Sequence, residues 1–316
     1  MIPRLTNVRL LTSSTTRIRF NSTLPTSTPP KTAGCIIIGD EILNSKIQDS
    51  NSRYFAKFCY NNGIQLNKIS VVGDNAQDIN STVSEFHKNF ELTITSGGIG
   101  ATHDDITYDS IAQCFGLPLK FSQIAFDRYL SLRGDSHLKT LDDDQLTGFK
   151  KMFNLPFHED RVELLFAEHT WTPVVRIDQR LSVLPGVPRF FEILLDDALA
   201  PHLNLSNDKE KENGVGYVTF YVTTKMSEIR FGPLISKKQQ LINEKGLGVK
   251  IGSYPHFEVG FNTISVCGKL YDEEFMKSLV EELCSAVHGK QISADEEFLL
   301  SNNRSMEELQ FLSNVK

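Results

Sequence analysis

Among 316 residues there is a single tryptophan, and the five cysteines (Cys35, Cys59, Cys114, Cys267, Cys284) form no CxxC pair and sit near no histidine at zinc-finger spacing. These absences argue against a zinc module and against a disulfide framework. Apolar settings such as Cys35-Ile36-Ile37-Ile38 read as reduced core thiols of an intracellular protein, and no cysteine is marked as a nucleophile. No apolar run approaches the ~20 residues that span a bilayer, so no membrane partner is expected. There is no internal repeat. Positive charge is in deficit as well: the net charge of −6 argues against a nucleic-acid backbone as partner.

Acid is missing from one place only. No Asp or Glu precedes Asp40, while Arg4, Arg9, Arg17 and Arg19 lie among many Ser and Thr. That profile predicts a mitochondrial transit peptide, with Arg19-Phe20-Asn21-Ser22 as the cut and a linker holding Pro25, Pro29 and Pro30 behind it. Residence in the matrix is expected, with the cytoplasm as the alternative, and the folded chain is expected to begin near Gly34.

What is present points to an α/β fold. Strands are predicted over residues 35–38, 64–72 and 90–95, alternating with helices that carry Phe55, Phe58 and Cys59, then Ile79, Val83 and Phe86. Ser50 is read as the cap of the first helix. Further helices are predicted over 108–115, 119–133 and 141–152. A hairpin turns at Asp178-Gln179 and leads through Pro185-Gly186-Val187-Pro188 into a helix burying Phe191, Leu194 and Leu195. The β-α-β-α-β-loop-α order predicts a doubly wound, mostly parallel sheet over residues 34–203. A small α+β domain follows over 215–290, then a polar tail over 291–316. Residues 1–33 form the leader and linker.

The richest stretch runs from Thr95 to Thr107 and reads Thr-Ser-Gly-Gly-Ile-Gly-Ala-Thr-His-Asp-Asp-Ile-Thr. It leaves a strand, crosses three glycines and enters a helix, the arrangement of an anion cradle. Ligands of such sheets bind beyond the carboxyl ends of the strands, where Asp40, Asp74 and Asp105 also fall. Carboxylates beside a phosphate cradle predict an intervening divalent cation. A plain glycine turn capped by Asp105 or Thr107 is the alternative. Other candidates are His103 as proton donor or solvent-facing residue and Asp142-Asp143-Asp144 as cation site or solvated face. Lys150 and Lys151 could reach a phosphate, and Trp171 and Phe166 serve as ring platforms or core.

Gly39-Asp40-Glu41-Ile42-Leu43, Asp49-Ser50-Asn51, Val72-Gly73-Asp74-Asn75, the segment from Ser96 to Thr107 and Leu184-Pro185-Gly186-Val187-Pro188 together resemble the molybdopterin-binding (MoaB/Mog-like) domain superfamily. The likeness is greatest to its CinA-type branch and to the amino-terminal domain of eukaryotic FAD synthases. Lys225-Met226-Ser227 and Ile251-Gly252-Ser253-Tyr254-Pro255 look like the small domain that follows in the flavin-related proteins. The PAPS-reductase-like domain that makes FAD in fused enzymes is not found, so FAD synthesis is not expected. Asn44-Ser45-Lys46 departs from the small residues usual after the first motif, and Ala101 stands where proline is common.

The resemblance implies hydrolysis of FAD or an ADP-ribose-like dinucleotide to mononucleotides, with a divalent metal (Mg, Mn or Co) and potassium. Asp105 and Asp74 would be catalytic. Ser96, Gly97, Gly98, Gly100, Thr102, Thr107 and Asn51 would bind substrate phosphate, and Asp40, Glu41, Asp104 and Asp105 the metal. A homo-oligomer is left open. A pterin-, flavin- or nucleotide-binding protein without turnover and a molybdenum-cofactor biosynthesis component are the alternatives.

Overall fold

The computed structural model describes residues 16–19, 28–205, 216–302, 309, 311 and 312. The proposed cut at Phe20-Asn21-Ser22, Arg4, Arg9 and residues 206–215 lie outside the described residues. The chain divides into two compact units, one of residues 1–60 and 64–205, the other of 61–63 and 206–316.

The strands of the first unit are β1 (Thr16–Arg19), β2 (Thr32–Ile38), β3 (Gln65–Val72), β4 (Leu92–Ser96), β5 (Leu119–Phe121), β6 (Asn154–Pro156), β7 (Val162–Phe166), β8 (Val174–Ile177) and β9 (Leu181–Leu184). Seven of them make one sheet in the order β1-β7-β8-β9-β4-β2-β3. Strands β3, β2, β4 and β9 run parallel, and β8, β7 and β1 extend the sheet antiparallel. The parallel half matches the expected doubly wound arrangement. Strand β1 lies inside the stretch read as a transit peptide, so the sheet takes up chain well before Gly34.

Strand β4 is buried at all five positions, as a strand covered on both faces must be. Its neighbour β2 alternates between two cores. Ile36 and Ile38 join Ile79, Val83 and Phe86 on one face, while Cys35 and Ile37 join Phe55, Leu194 and Leu195 on the other. That is the period of two inherent in a strand. The helices are α1 (Asp40–Leu43), α2 (Asn51–Asn61), α3 (Ala76–Asn89), α4 (Thr107–Phe115), α5 (Gln123–Arg133), α6 (Asp143–Lys151) and α7 (Pro188–Ile193). Helix α3 starts where the Asn75 side chain accepts the N–H groups of Gln77 and Asp78. Fully burying its Phe86 stabilises the fold by about 2–3 kcal/mol.

Two local expectations are corrected. Residues 119–121 form a strand paired with β6 instead of a helical turn, and the Ser122 hydroxyl caps α5 by accepting the Ala125 N–H at 3.3 Å. Of the two readings of Asp142-Asp143-Asp144 the solvated face stands, since all three are exposed; Asp142 and Gln145 form a capping box, with Asp143 and Asp144 in the first turn. At the start of α2 it is the Asp49 side chain that accepts the Ser52 N–H, at 3.1 Å. The hairpin at Asp178-Gln179 is present, with φ of 50° at Asp178 and 58° at Gln179, both left-handed, in a three-residue loop closed by the Ile177–Leu181 pair.

In the second unit β10 (Tyr217–Thr224), β11 (Lys250–His256), β12 (Phe261–Lys269) and β13 (Lys290–Ile292) form an antiparallel sheet in the order β11-β12-β10-β13. Helices α8 (Glu228–Glu244), α9 (Glu273–Ala286) and α10 (Ala294–Ser301) complete it. The stretch read as a polar tail is structured: Leu300, Leu309 and Leu312 are buried with Phe261 and Ile292. Few leucines among many polar residues mask a small apolar face. No helix among the described residues is long and apolar enough to cross a membrane.

Candidate functional site

The loop between β4 and α4 is bent by two glycines, Gly97 at φ 113° and Gly98 at φ 64°. Residues with a Cβ rarely adopt either value. A Cβ on Gly97 would also meet the Ile38 carbonyl oxygen, and one on Gly98 the Thr107 hydroxyl. The glycines therefore serve the close packing of the loop on β2 and α4 before any ligand is considered. Ile106 occupies the cap position of α4 and makes no side-chain cap, so neither Asp105 nor Thr107 caps that helix.

Hydrogen bonds sort the expected phosphate donors into two groups. The buried Thr107 hydroxyl donates to the Gly97 carbonyl at 2.9 Å, and the Thr107 N–H donates to the Gly98 carbonyl at 2.9 Å. The Gly97 N–H donates to the Leu184 carbonyl and the Ser96 hydroxyl to the Pro185 carbonyl, each at 3.2 Å. Both amide hydrogens of Asn51 are engaged, by Ser96 Oγ at 2.9 Å and the Gly186 carbonyl at 2.8 Å. The Thr102 N–H and hydroxyl both donate to Asp105 Oδ2. Ser96, Gly97, Thr102, Thr107 and the Asn51 amide nitrogen are thus scaffold. The N–H groups of Gly98, Ile99 and Gly100 carry no hydrogen bond to the described residues.

These three open amides line a cavity of about 460 Å³. Its polar wall includes Glu41, Asp49, Asn51, Ser96 and Asp105, and Pro185-Gly186-Val187-Pro188 forms one rim. Met152, Trp171, Ile99 and Phe190 supply an apolar wall. Trp171 backs onto Tyr129 and Phe153 at ring-centroid distances of 5.4 and 5.2 Å. Its loop is held by Arg128, whose guanidinium donates to the carbonyls of Ala167, Glu168 and Thr170. Sequence reading passed over Met152 and Arg128, since neither lies in a motif. Phe166 is fully buried, so it is core and not a platform.

Of the expected acids, Glu41 and Asp105 reach the cavity wall; Asp40, Asp74 and Asp104 lie outside its lining, as do Thr102 and Thr107. Asp40 and Asp74 tie the ends of β2 and β3 together: the Asp40 N–H donates to Asp74 Oδ2 at 3.0 Å and the Asp74 N–H to Asp40 Oδ1 at 3.3 Å. Partial burial pushes the Asp74 carboxyl up, and the charges of Asp40, Glu41 and Asp104 add to the rise. Asp104 is exposed and held below the usual carboxylate range, chiefly by the Thr102 side chain. His103 is 97% exposed and faces solvent. Lys151 donates to the Thr102 carbonyl at 2.7 Å and so braces the loop, while Lys150 is exposed and outside the cavity. Asp105 Oδ1 has no partner among the described residues.

Among the described residues no three His, Cys, Asp or Glu side chains converge as a ready-made metal cage. A hard cation such as magnesium does not need one, since it commonly takes one or two carboxylates plus substrate phosphates. The crowding of negative charge around Asp74 fits such a shared site, because like charges that raise a carboxyl are relieved by a cation. Asp74 with Asp40 or Asp104, and Glu41 with Asp105, are the oxygen donors available.

Residues 34–204 match the family described as probable molybdopterin binding domain, more than half of the 316-residue chain, and the chain belongs to that family. It is 29% identical over 282 residues to a "Probable FAD synthase" of Caenorhabditis elegans, covering 84% of this chain and 51% of that protein. It is 32% identical over 174 residues to "Protein PH0439" of Pyrococcus horikoshii, covering 54% of this chain and 68% of that one. A solved structure of a CinA protein from Thermoplasma acidophilum is 26% identical, with a TM-score of 0.45 over 52% of this chain and 94% of that chain. The chain spans about half the length of the relatives carrying the FAD-synthase name, at 51% and 45%.

Proposed function

We propose that this member of the molybdopterin-binding domain family is a metal-dependent diphosphatase that hydrolyses FAD or an ADP-ribose-like dinucleotide to mononucleotides. One observation carries the reading: the open N–H groups of Gly98, Ile99 and Gly100 share a cavity with the unpartnered Asp105 Oδ1. Three open amides on one short loop can bind the non-bridging phosphate oxygens and stabilise the charge that grows on them during displacement. Asp105 is pinned through Oδ2, which leaves Oδ1 free to take a proton from water as it attacks phosphorus. A divalent cation (Mg, Mn or Co), with potassium as an accessory ion, would be held by Asp40, Glu41, Asp74, Asp104 or Asp105. It would supply charge neutralisation of the diphosphate and a more acidic water. The Met152 and Trp171 wall offers a flat apolar surface to a ring.

The name of the worm relatives supports a flavin nucleotide as ligand. Import into the mitochondrial matrix belongs to the same proposal and is read by amino-terminal sequencing of the native protein; an intact Met1 would refute it. A second reading, ligand binding without turnover, is favoured by Asp40, Asp74 and Asp104 lying outside the lining of the cavity. Incubation with FAD, ADP-ribose and NAD under each divalent ion separates the two. Mononucleotide products support the diphosphatase, and tight binding with no product under any ion leaves a carrier or sensor.

A further inference from the structure

The side chain of Asn51 is 95% buried at the start of the eleven-residue helix α2, at 5% relative exposure, and it lines the cavity. Its orientation is settled by its partners. The Gly186 carbonyl can only accept, so the atom facing it at 2.8 Å is nitrogen. Ser96 gives its own hydrogen to the Pro185 carbonyl, so it accepts the second amide hydrogen of Asn51. Both donors of Asn51 are thereby fixed. Its acceptor, Oδ1, is buried and has no hydrogen-bond partner. A buried acceptor left unpaired costs about 1–3 kcal/mol.

A phosphate oxygen cannot answer this group, since it too is an acceptor. Asn51 is therefore misplaced among the phosphate binders, where its motif had put it. We infer that Asn51 Oδ1 accepts a hydroxyl hydrogen from the ligand's sugar, which makes Asn51 a specificity-determining residue for polyol-bearing nucleotides over simple polyphosphates. The placement fits the diphosphate reading on which this rests. Asn51 bonds to Gly186, and a Cβ on Gly186 would lie 3.2 Å from the Gly97 Cα at the foot of the amide nest. In a dinucleotide the nearest sugar hydroxyls lie four or five bonds from phosphorus, within side-chain reach of a bound diphosphate, so a phosphate on Gly98–Gly100 brings them near this wall. Because Oδ1 is closed to water without ligand, the Pro185–Val187 rim must yield as the ligand seats.

The test is equilibrium binding by titration calorimetry with chelator present, so that no turnover is needed. ADP-ribose and FAD are compared with analogues that lack one sugar hydroxyl at a time, and with inorganic pyrophosphate. For one position, deletion weakens binding to the wild-type protein by about 10- to 100-fold, the loss expected when a buried acceptor goes unanswered. The same deletion costs nothing further in Asn51→Ala, whereas a merely structural asparagine would leave that penalty intact. Should Asn51→Ala fail to fold, the wild-type analogue series still decides. If every deoxy analogue binds within twofold of its parent, the inference fails while the substrate class stands. If neither ADP-ribose nor FAD binds, either in chelator or with magnesium restored, both fall together.

Discussion

Asp105→Asn separates the architecture of the loop from its chemistry. The carboxylate accepts two hydrogen bonds at Oδ2, from the Thr102 N–H and hydroxyl, and sits under Gly100, whose added Cβ would fall 2.6 Å from Oδ2. Asparagine has the same shape and keeps a carbonyl oxygen in that place. Bonds to a charged acceptor are worth about 1.5–3 kcal/mol and to a neutral one about 0.5–1.5 kcal/mol, so the two bonds together lose about 2–3 kcal/mol before solvent screening. Half-exposure of Asp105 reduces this. A unit of this size melts about 2–4 °C lower per kcal/mol, so a shift of a few degrees is expected. The rate should fall far more, by about 10²–10⁴, because the amide cannot take the proton of water. Melting temperature and mononucleotide release are measured on the same preparation with FAD and magnesium. Turnover within threefold of wild type in a normally melting variant would refute the role of Asp105 as base.

Further outcomes follow from other contacts. Thr107→Val removes a buried hydroxyl from the Gly97 carbonyl and should cost about 1–3 kcal/mol in urea unfolding, with Thr107→Ser recovering most of it; an unchanged midpoint would show that the bond does not hold the loop. Asp74 has a raised folded-state pKa, so its ionisation opposes folding above that value and the penalty disappears as pH falls. Asp74→Asn should therefore raise stability at pH 7 by less than about 1 kcal/mol after solvent screening, with the gain vanishing under acid, and a gain that grows toward low pH would reverse the sign. Ser45 stands at φ 61°, so Ser45→Gly should stabilise by about 0.5–1 kcal/mol, read as a higher melting temperature.

The sequence by itself determined the parts whose signals are local. An apolar run such as Cys35-Ile36-Ile37-Ile38 can satisfy its backbone only as a covered strand, and Ile79, Val83 and Phe86 at spacings of four and three can share only a helix face. Likewise Gly97-Gly98-Ile99-Gly100 after β4 marks a bend that other residues resist. Leu300, Leu309 and Leu312 escaped notice because three leucines scattered in polar sequence give no period strong enough to read. Tertiary structure alone decided which polar groups of the site remain open. Asn51 is tied to Ser96 across 45 residues and to Gly186 across 135, and Ser96 to Pro185 across 89. A hydrogen already given to a distant carbonyl cannot be given to a phosphate, and residue type does not record that. The motif named Ser96, Gly97, Thr102, Thr107 and Asn51 as binders with equal claim. Packing of β4 against β9, and of α2 against the Pro185–Val187 turn, made them scaffold and left the amide hydrogens of Gly98, Ile99 and Gly100, Asp105 Oδ1 and the buried Asn51 Oδ1 without partners.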